Sequence, residues 1–76
     1  MTLEKHQLDG VPPITAKTLP ASDFDQLLLA AGYTKIGTAP AKGNRIKTWW
    51  SHPGFRRIEA IYSPDGLTAI TAYHVN

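Results

Sequence analysis

Seventy-six residues without cysteine, and without an apolar run near the ~20 residues of a membrane helix, allow one small domain. They exclude a two-domain enzyme, a dinucleotide-binding domain, a disulfide scaffold, a cysteine-based zinc site and an integral membrane protein. Net charge is +2, from eight Lys/Arg against six Asp/Glu. The charge is uneven: Lys35, Lys42, Arg45, Lys47, Arg56 and Arg57 outweigh Glu59 and Asp65 in residues 33–76, which also hold both Trp and all three Tyr.

Residues 1–21 read as a Pro-rich extended leader. Pro12, Pro13, Pro20 and Gly10 forbid a continuous helix, while Leu8, Val11, Ile14 and Leu19 can pack along a domain. Leu8-Asp9-Gly10 interrupts any apolar signal segment, so a cytoplasmic setting is expected, in keeping with the missing cysteine. Residues 22–76 then form the single domain. Its helix is predicted over 22–32, with Ser22 as N-cap, Asp23 and Asp25 at the positive end of the dipole, and Gly32 as the left-handed stop. Phe24, Leu27, Leu28 and Ala31 fall on one face of it.

Past Gly32 the period changes to that of strands, expected at about 33–37, 45–51, 55–62 and 67–75, with residues 38–44 as a loop. His52-Pro53-Gly54 and Ser63-Pro64-Asp65-Gly66 are turn signals that suit three-residue hairpin loops with a glycine bulge. The fold class is therefore α+β: one N-terminal helix packed on a twisted antiparallel sheet of three to four strands.

Hairpin loops fix register, and register fixes which side chains share a face. Pairing Ser63 with Leu67 and Ser51 with Phe55 sets Ile46, Thr48, Trp50, Ile58, Ala60, Tyr62, Ile70 and Ala72 toward the helix. Arg45, Lys47, Trp49, Arg57, Glu59, Thr71 and Tyr73 then occupy the opposite face. Arg56 and His74 fall at the rim of the helix side, where a bend in the last strand would bring His74 toward the open face. Cations neutralise phosphates, and Trp49 and Tyr73 can stack unpaired bases. The same residues also make an ordinary solvated face, with Lys47–Glu59 and Arg57–Glu59 ion pairs and Trp49 on the Arg57 stem. His74 is a candidate acid or base near neutral pH, whereas His52 reads as a turn residue and His6 as a leader residue. The histidine spacing gives no metal-binding motif, so neither metal nor cofactor is expected.

The stretch Phe55-Arg-Arg-Ile-Glu-Ala-Ile-Tyr-Ser-Pro-Asp-Gly-Leu-Thr-Ala-Ile-Thr-Ala-Tyr-His74 resembles the C-terminal half of RelE/YoeB-type bacterial toxins, of the barnase–EndoU–colicin–RelE group of metal-independent ribonucleases. The resemblance covers about a quarter of the chain. It departs from the family in replacing the first of two N-terminal helices with the Pro-rich leader. HicA-like interferases match less well, because their terminal helix is missing here. The resemblance implies an endoribonuclease in which His74 acts as acid or base and Arg57 or Arg56 stabilises the phosphorane. In that scheme Tyr73 positions a base or phosphate, Glu59 supplies the carboxylate, and Arg45, Lys47 and Trp49 hold the RNA. It further implies an antitoxin or immunity protein as partner, with no membrane role. Two other expectations rest on the same face: a non-catalytic nucleic-acid-binding module, and an inhibitor-like protein-interaction domain.

Overall fold

The computed structural model describes residues 2–75; Met1 and Asn76, the outer ends of the expected leader and domain, lie outside them. Its elements are β1 (Leu19–Pro20), α1 (Ala21–Ala30), β2 (Thr34–Pro40), β3 (Ile46–Ser51), β4 (Arg57–Tyr62) and β5 (Thr68–Val75). The five strands form one antiparallel sheet in the order β1-β5-β4-β3-β2. The class is α+β as expected, with five strands instead of three to four. The added strand is β1 in the leader, where Leu19 and Pro20 pair with Ala69 and Thr68. Pro20 and Pro40 are both confined to the outer strands, where a missing N–H removes nothing from a central ladder.

Helix α1 starts one residue early. Ser22 lies inside its first turn and Pro20 holds the cap position, with no side-chain cap bond. The Ala21 N–H instead donates to the Leu67 carbonyl at 2.8 Å, so the β4–β5 loop anchors the helix start. The other end matches the expected stop. Tyr33 N–H reaches Leu28 O and Gly32 N–H reaches Leu29 O, a Schellman pair with Gly32 at φ +95°. Phe24 and Leu28 are buried against the sheet, and Leu27 and Ala31 partly so. Ala60, Ala69 and Ala72, all at most 1% exposed, give the core small side chains where helix and sheet meet.

Both hairpins differ in register from expectation, each by two residues through the body of the sheet. Trp50 pairs with Ile58 and Thr48 with Ala60 because the β3–β4 loop spans five residues, 52–56. Ala60 pairs with Ala72, and Glu59 with Tyr73, because the β4–β5 loop takes one more residue and a bulge falls at Ile70. An even shift keeps every strand on its expected face. The bulge alone changes a core assignment: Ala69 is buried in the place expected for Ile70, which is only partly buried. Strand β2 runs on through the expected loop to Pro40, which pairs with Ile46, and bulges at Ile36.

The leader belongs to the core. Leu3, Leu8 and Val11 are at most 5% exposed and join the cluster of Phe24, Leu28, Trp50 and Ile58. Its start lies beside the second sheet face, where Thr71 Oγ1 donates to Thr2 O. By Asp9 it has reached His74 on the helix side. It therefore wraps the β5 edge that β1 is too short to cover.

Candidate functional site

Alternation along the strands places Lys47, Trp49, Arg57, Glu59, Ile61, Thr71 and Tyr73 on the face away from the helix. Glu59 sits opposite Trp49 on one neighbour and Tyr73 on the other, so one row crosses three strands. Trp49 Nε1 donates to Glu59 Oε1 at 2.9 Å, and the Tyr73 hydroxyl donates to Oε2. Lys47 Nζ lies 3.9 Å from Oε2 and 6.0 Å from the centre of the Trp49 ring. Gly37 of β2 faces Trp49; a Cβ there would meet the indole at 3.6 Å. Burial pushes the Glu59 carboxyl up, but the bonds from Tyr73 and Trp49 and the charge of Lys47 outweigh it and hold it below its usual range. Tyr73 is pushed up to about 12, chiefly by its bond to Glu59.

Beside this row lies a cleft of about 170 Å³ lined by Ala41, Lys42, Arg45, Lys47, Ile61 and Tyr73. Three of its six residues are cations and none is a carboxylate. The loop that carries Lys42 turns through left-handed backbone at Gly43 (φ +75°) and Asn44 (φ +63°) and closes with Ala41 N–H on Arg45 O. That reversal brings Lys42 to Arg45 and Lys47. Sequence reading passed over Lys42 because it lay in a stretch with no apolar period.

The face is less open than expected. Thr71 and Ile61 are buried, Thr71 being hydrogen-bonded to the leader and Ile61 lining the cleft. Lys47 Nζ lies over the Trp49 ring. Arg57, exposed at the end of the face beyond Glu59, makes no ion pair with it among the described residues.

His74 does not turn toward this face. Its side chain is 6% exposed on the helix side, opposite Ile58. Nε2 accepts the Asp9 N–H at 3.0 Å, and Nδ1 donates to the Arg56 carbonyl at 3.1 Å, the one role a carbonyl partner allows. The ring thus bridges the leader to the β3–β4 loop, with Asp9 Oδ2 also 3.5 Å from Nε2. Arg56 sits in that loop with its side chain exposed, away from the Glu59 row. His52 also bridges backbone, donating from Nε2 to Ala31 O and accepting Gly54 N–H at Nδ1. His6 is the histidine placed beside the candidate face, with its ring edge-on to Tyr73 at 5.8 Å.

On the helix side a second cleft of similar volume is lined in part by Asp25, Lys35, Thr48 and Tyr62. The Tyr62 hydroxyl donates to Asp25 at 2.5 Å and Lys35 bonds the other carboxylate oxygen at 3.4 Å, so its charged groups satisfy one another.

Of the residues expected to act together, the fold gathers Arg45, Lys47, Trp49, Glu59 and Tyr73, sets Arg57 at the margin, and keeps Arg56 and His74 apart from them. Among the described residues no helix is long and apolar enough to cross a membrane. No protein-family model, no curated protein and no solved structure matches the chain.

Proposed function

We propose that the domain binds nucleic acid, RNA in the first place, through the face built from Lys42, Arg45, Lys47, Trp49, Arg57 and Tyr73. One observation carries this reading: three cations from a loop and a strand line one cleft that contains no carboxylate, directly beside two aromatic rings. Lys42 and Arg45 make no ion pair among the described residues, so two cations of the cleft are free to meet an incoming anion. The single carboxylate of the face, Glu59, is already engaged by Trp49, Tyr73 and Lys47, so it opposes an incoming phosphate less than a free carboxylate would.

Cleavage of the bound RNA, the activity implied by the resemblance to toxin ribonucleases, is the second reading. It needs an acid–base group at the face, and both His74 nitrogens are held by backbone on the other side. The observation in its favour is His6 beside Tyr73. An antitoxin or immunity partner belongs to this second reading.

Fluorescence anisotropy with a labelled RNA 12-mer tests both. Binding at low salt that weakens in Lys42→Ala and Arg45→Ala supports the first reading. Shortening of the RNA that stops in His6→Ala supports the second. Absence of RNA binding at low salt overturns both and leaves the protein-interaction reading.

A further inference from the structure

On the reading that this face binds RNA, we infer that it takes an unpaired strand and that Glu59 reads one base of it, favouring bases with an amino group over uracil. The first argument is spacing. Lys47 and Arg57 stand on opposite sides of the Trp49–Glu59–Tyr73 row, each two residues along its strand from it, with Lys47 Nζ drawn in to 3.9 Å from Glu59 Oε2. A strand whose phosphates meet the cleft and Arg57 crosses the row, which sets an unpaired base between them against Trp49, Glu59 and Tyr73.

The second argument is the chemistry met there. A carboxylate offers about four acceptor positions; Glu59 uses one on each oxygen for Trp49 and Tyr73, and Lys47 Nζ lies 3.9 Å from Oε2. Its side chain is 16% exposed, so acceptor capacity remains within reach of a ligand. An ionised carboxylate only accepts. It suits the exocyclic amino group of cytosine, as acidic side chains do in base readout, and repels the O4 carbonyl that uracil presents at the same position. The flanking rings hold the carboxylate in place, so the preference does not wait on a flexible side chain. In this scheme Glu59 is a specificity-determining residue and takes no part in proton transfer.

Anisotropy titrations with labelled hexacytidylate and hexauridylate test this, since both are pyrimidine strands of equal length and charge. Hexacytidylate is expected to bind about tenfold more tightly than hexauridylate. Glu59→Gln, whose amide both donates and accepts, is expected to remove that preference while retaining affinity for hexauridylate. A hexamer of N4,N4-dimethylcytidine, which lacks the amino donors, provides the same test on the unaltered protein and is expected to bind like hexauridylate. Equal binding of the two homopolymers by the native protein overturns the inference and leaves RNA binding standing. A preference that survives Glu59→Gln or dimethylation also overturns it. Failure to bind either strand overturns the inference together with the reading beneath it.

Discussion

The phenol of Tyr73 donates to the carboxylate of Glu59 because β4 and β5 pair with these two residues opposite each other. The pair sits in the middle of the face, with Trp49 completing the row from the other side. Three strands are thus cross-linked by side chains at the point where the proposed ligand would lie.

Replacing Tyr73 with Phe removes a charge-assisted bond and little volume. Such bonds contribute roughly 1.5–3 kcal/mol when shielded, and the half-exposed position of Tyr73 puts the expected loss at the lower end. The Glu59 carboxyl should titrate at higher pH in this variant, because one of the two bonds favouring its charged form is gone. Urea unfolding and carboxyl-carbon NMR titration measure the two effects. An unchanged Glu59 titration would show that the bond does not form in solution.

The strand faces were legible because alternation survives an even slip. The register deduced from the turns was two residues off in both hairpins, yet Trp50 still faces the helix and Trp49 still faces away. The Ile70 bulge was not legible, since nothing in Thr68-Ala69-Ile70-Thr71 marks an extra residue, and Ala69 takes the core place of the larger side chain. Leader packing was legible in part: Leu8, Val11, Ile14 and Leu19 pack on the core as expected, whereas the burial of Leu3 and the depth of the packing were not evident. Leu3, Leu8 and Val11 follow neither a helical nor a strand period, and their burial depends on the β5 edge being left open. Alternation set His74 on the helix side, and its bond from the Asp9 N–H, a leader contact not legible in the sequence, holds it there where a bend toward the open face was expected.

Alkaline pH should loosen the fold. Tyr73 is raised to about 12 by its bond to Glu59, and burial raises Tyr33 and Tyr62 as well. A phenol whose folded value lies above its unfolded one stabilises the fold fully below the unfolded value near 10. That contribution disappears as pH rises through the folded value. Melting temperature is expected to fall between pH ~10 and ~12, and less steeply in Tyr73→Phe. At the acid end the sign reverses. The lowered carboxyl of Glu59 contributes stability above its unfolded value and loses it as pH falls through the folded one.

His74→Ala tests the bridge between leader and loop. It leaves the Asp9 N–H and the Arg56 carbonyl without their partner and removes a side chain only 6% exposed. The expected cost is about 2–3 kcal/mol from the lost bonds and packing. The leader should also become open to trypsin at Lys5 and Lys17. Stability and cleavage rate like those of the native protein would show that the bridge holds nothing.

Gly32 and Gly43 separate backbone strain from crowding. Both have φ in the left-handed region, but a Cβ at Gly32 would lie 3.1 Å from His52 Nε2, whereas one at Gly43 meets open space. Gly43→Ala should cost about 1 kcal/mol, from conformation alone. Gly32→Ala should cost more, because it also presses on the ring that bonds Ala31 O. Equal costs, measured by thermal unfolding, would mean that His52 moves aside freely.

Salt dependence counts the cations that meet phosphate. Each contact to a single strand contributes about 0.7 to the slope of log affinity against log salt. Lys42→Ala and Arg45→Ala should each lower the slope by about that amount, since both line the cleft. Arg57→Ala should do the same from the far end of the face if the strand runs across the Glu59 row. Lys17→Ala serves as the control: the residue is exposed in the leader, outside the cleft, and the slope should not change. Equal reductions from Lys17 and Lys42 would mean that the RNA responds to net charge alone. A reduction confined to Lys42, Arg45 and Arg57 would trace the path of the strand over Trp49 and Tyr73.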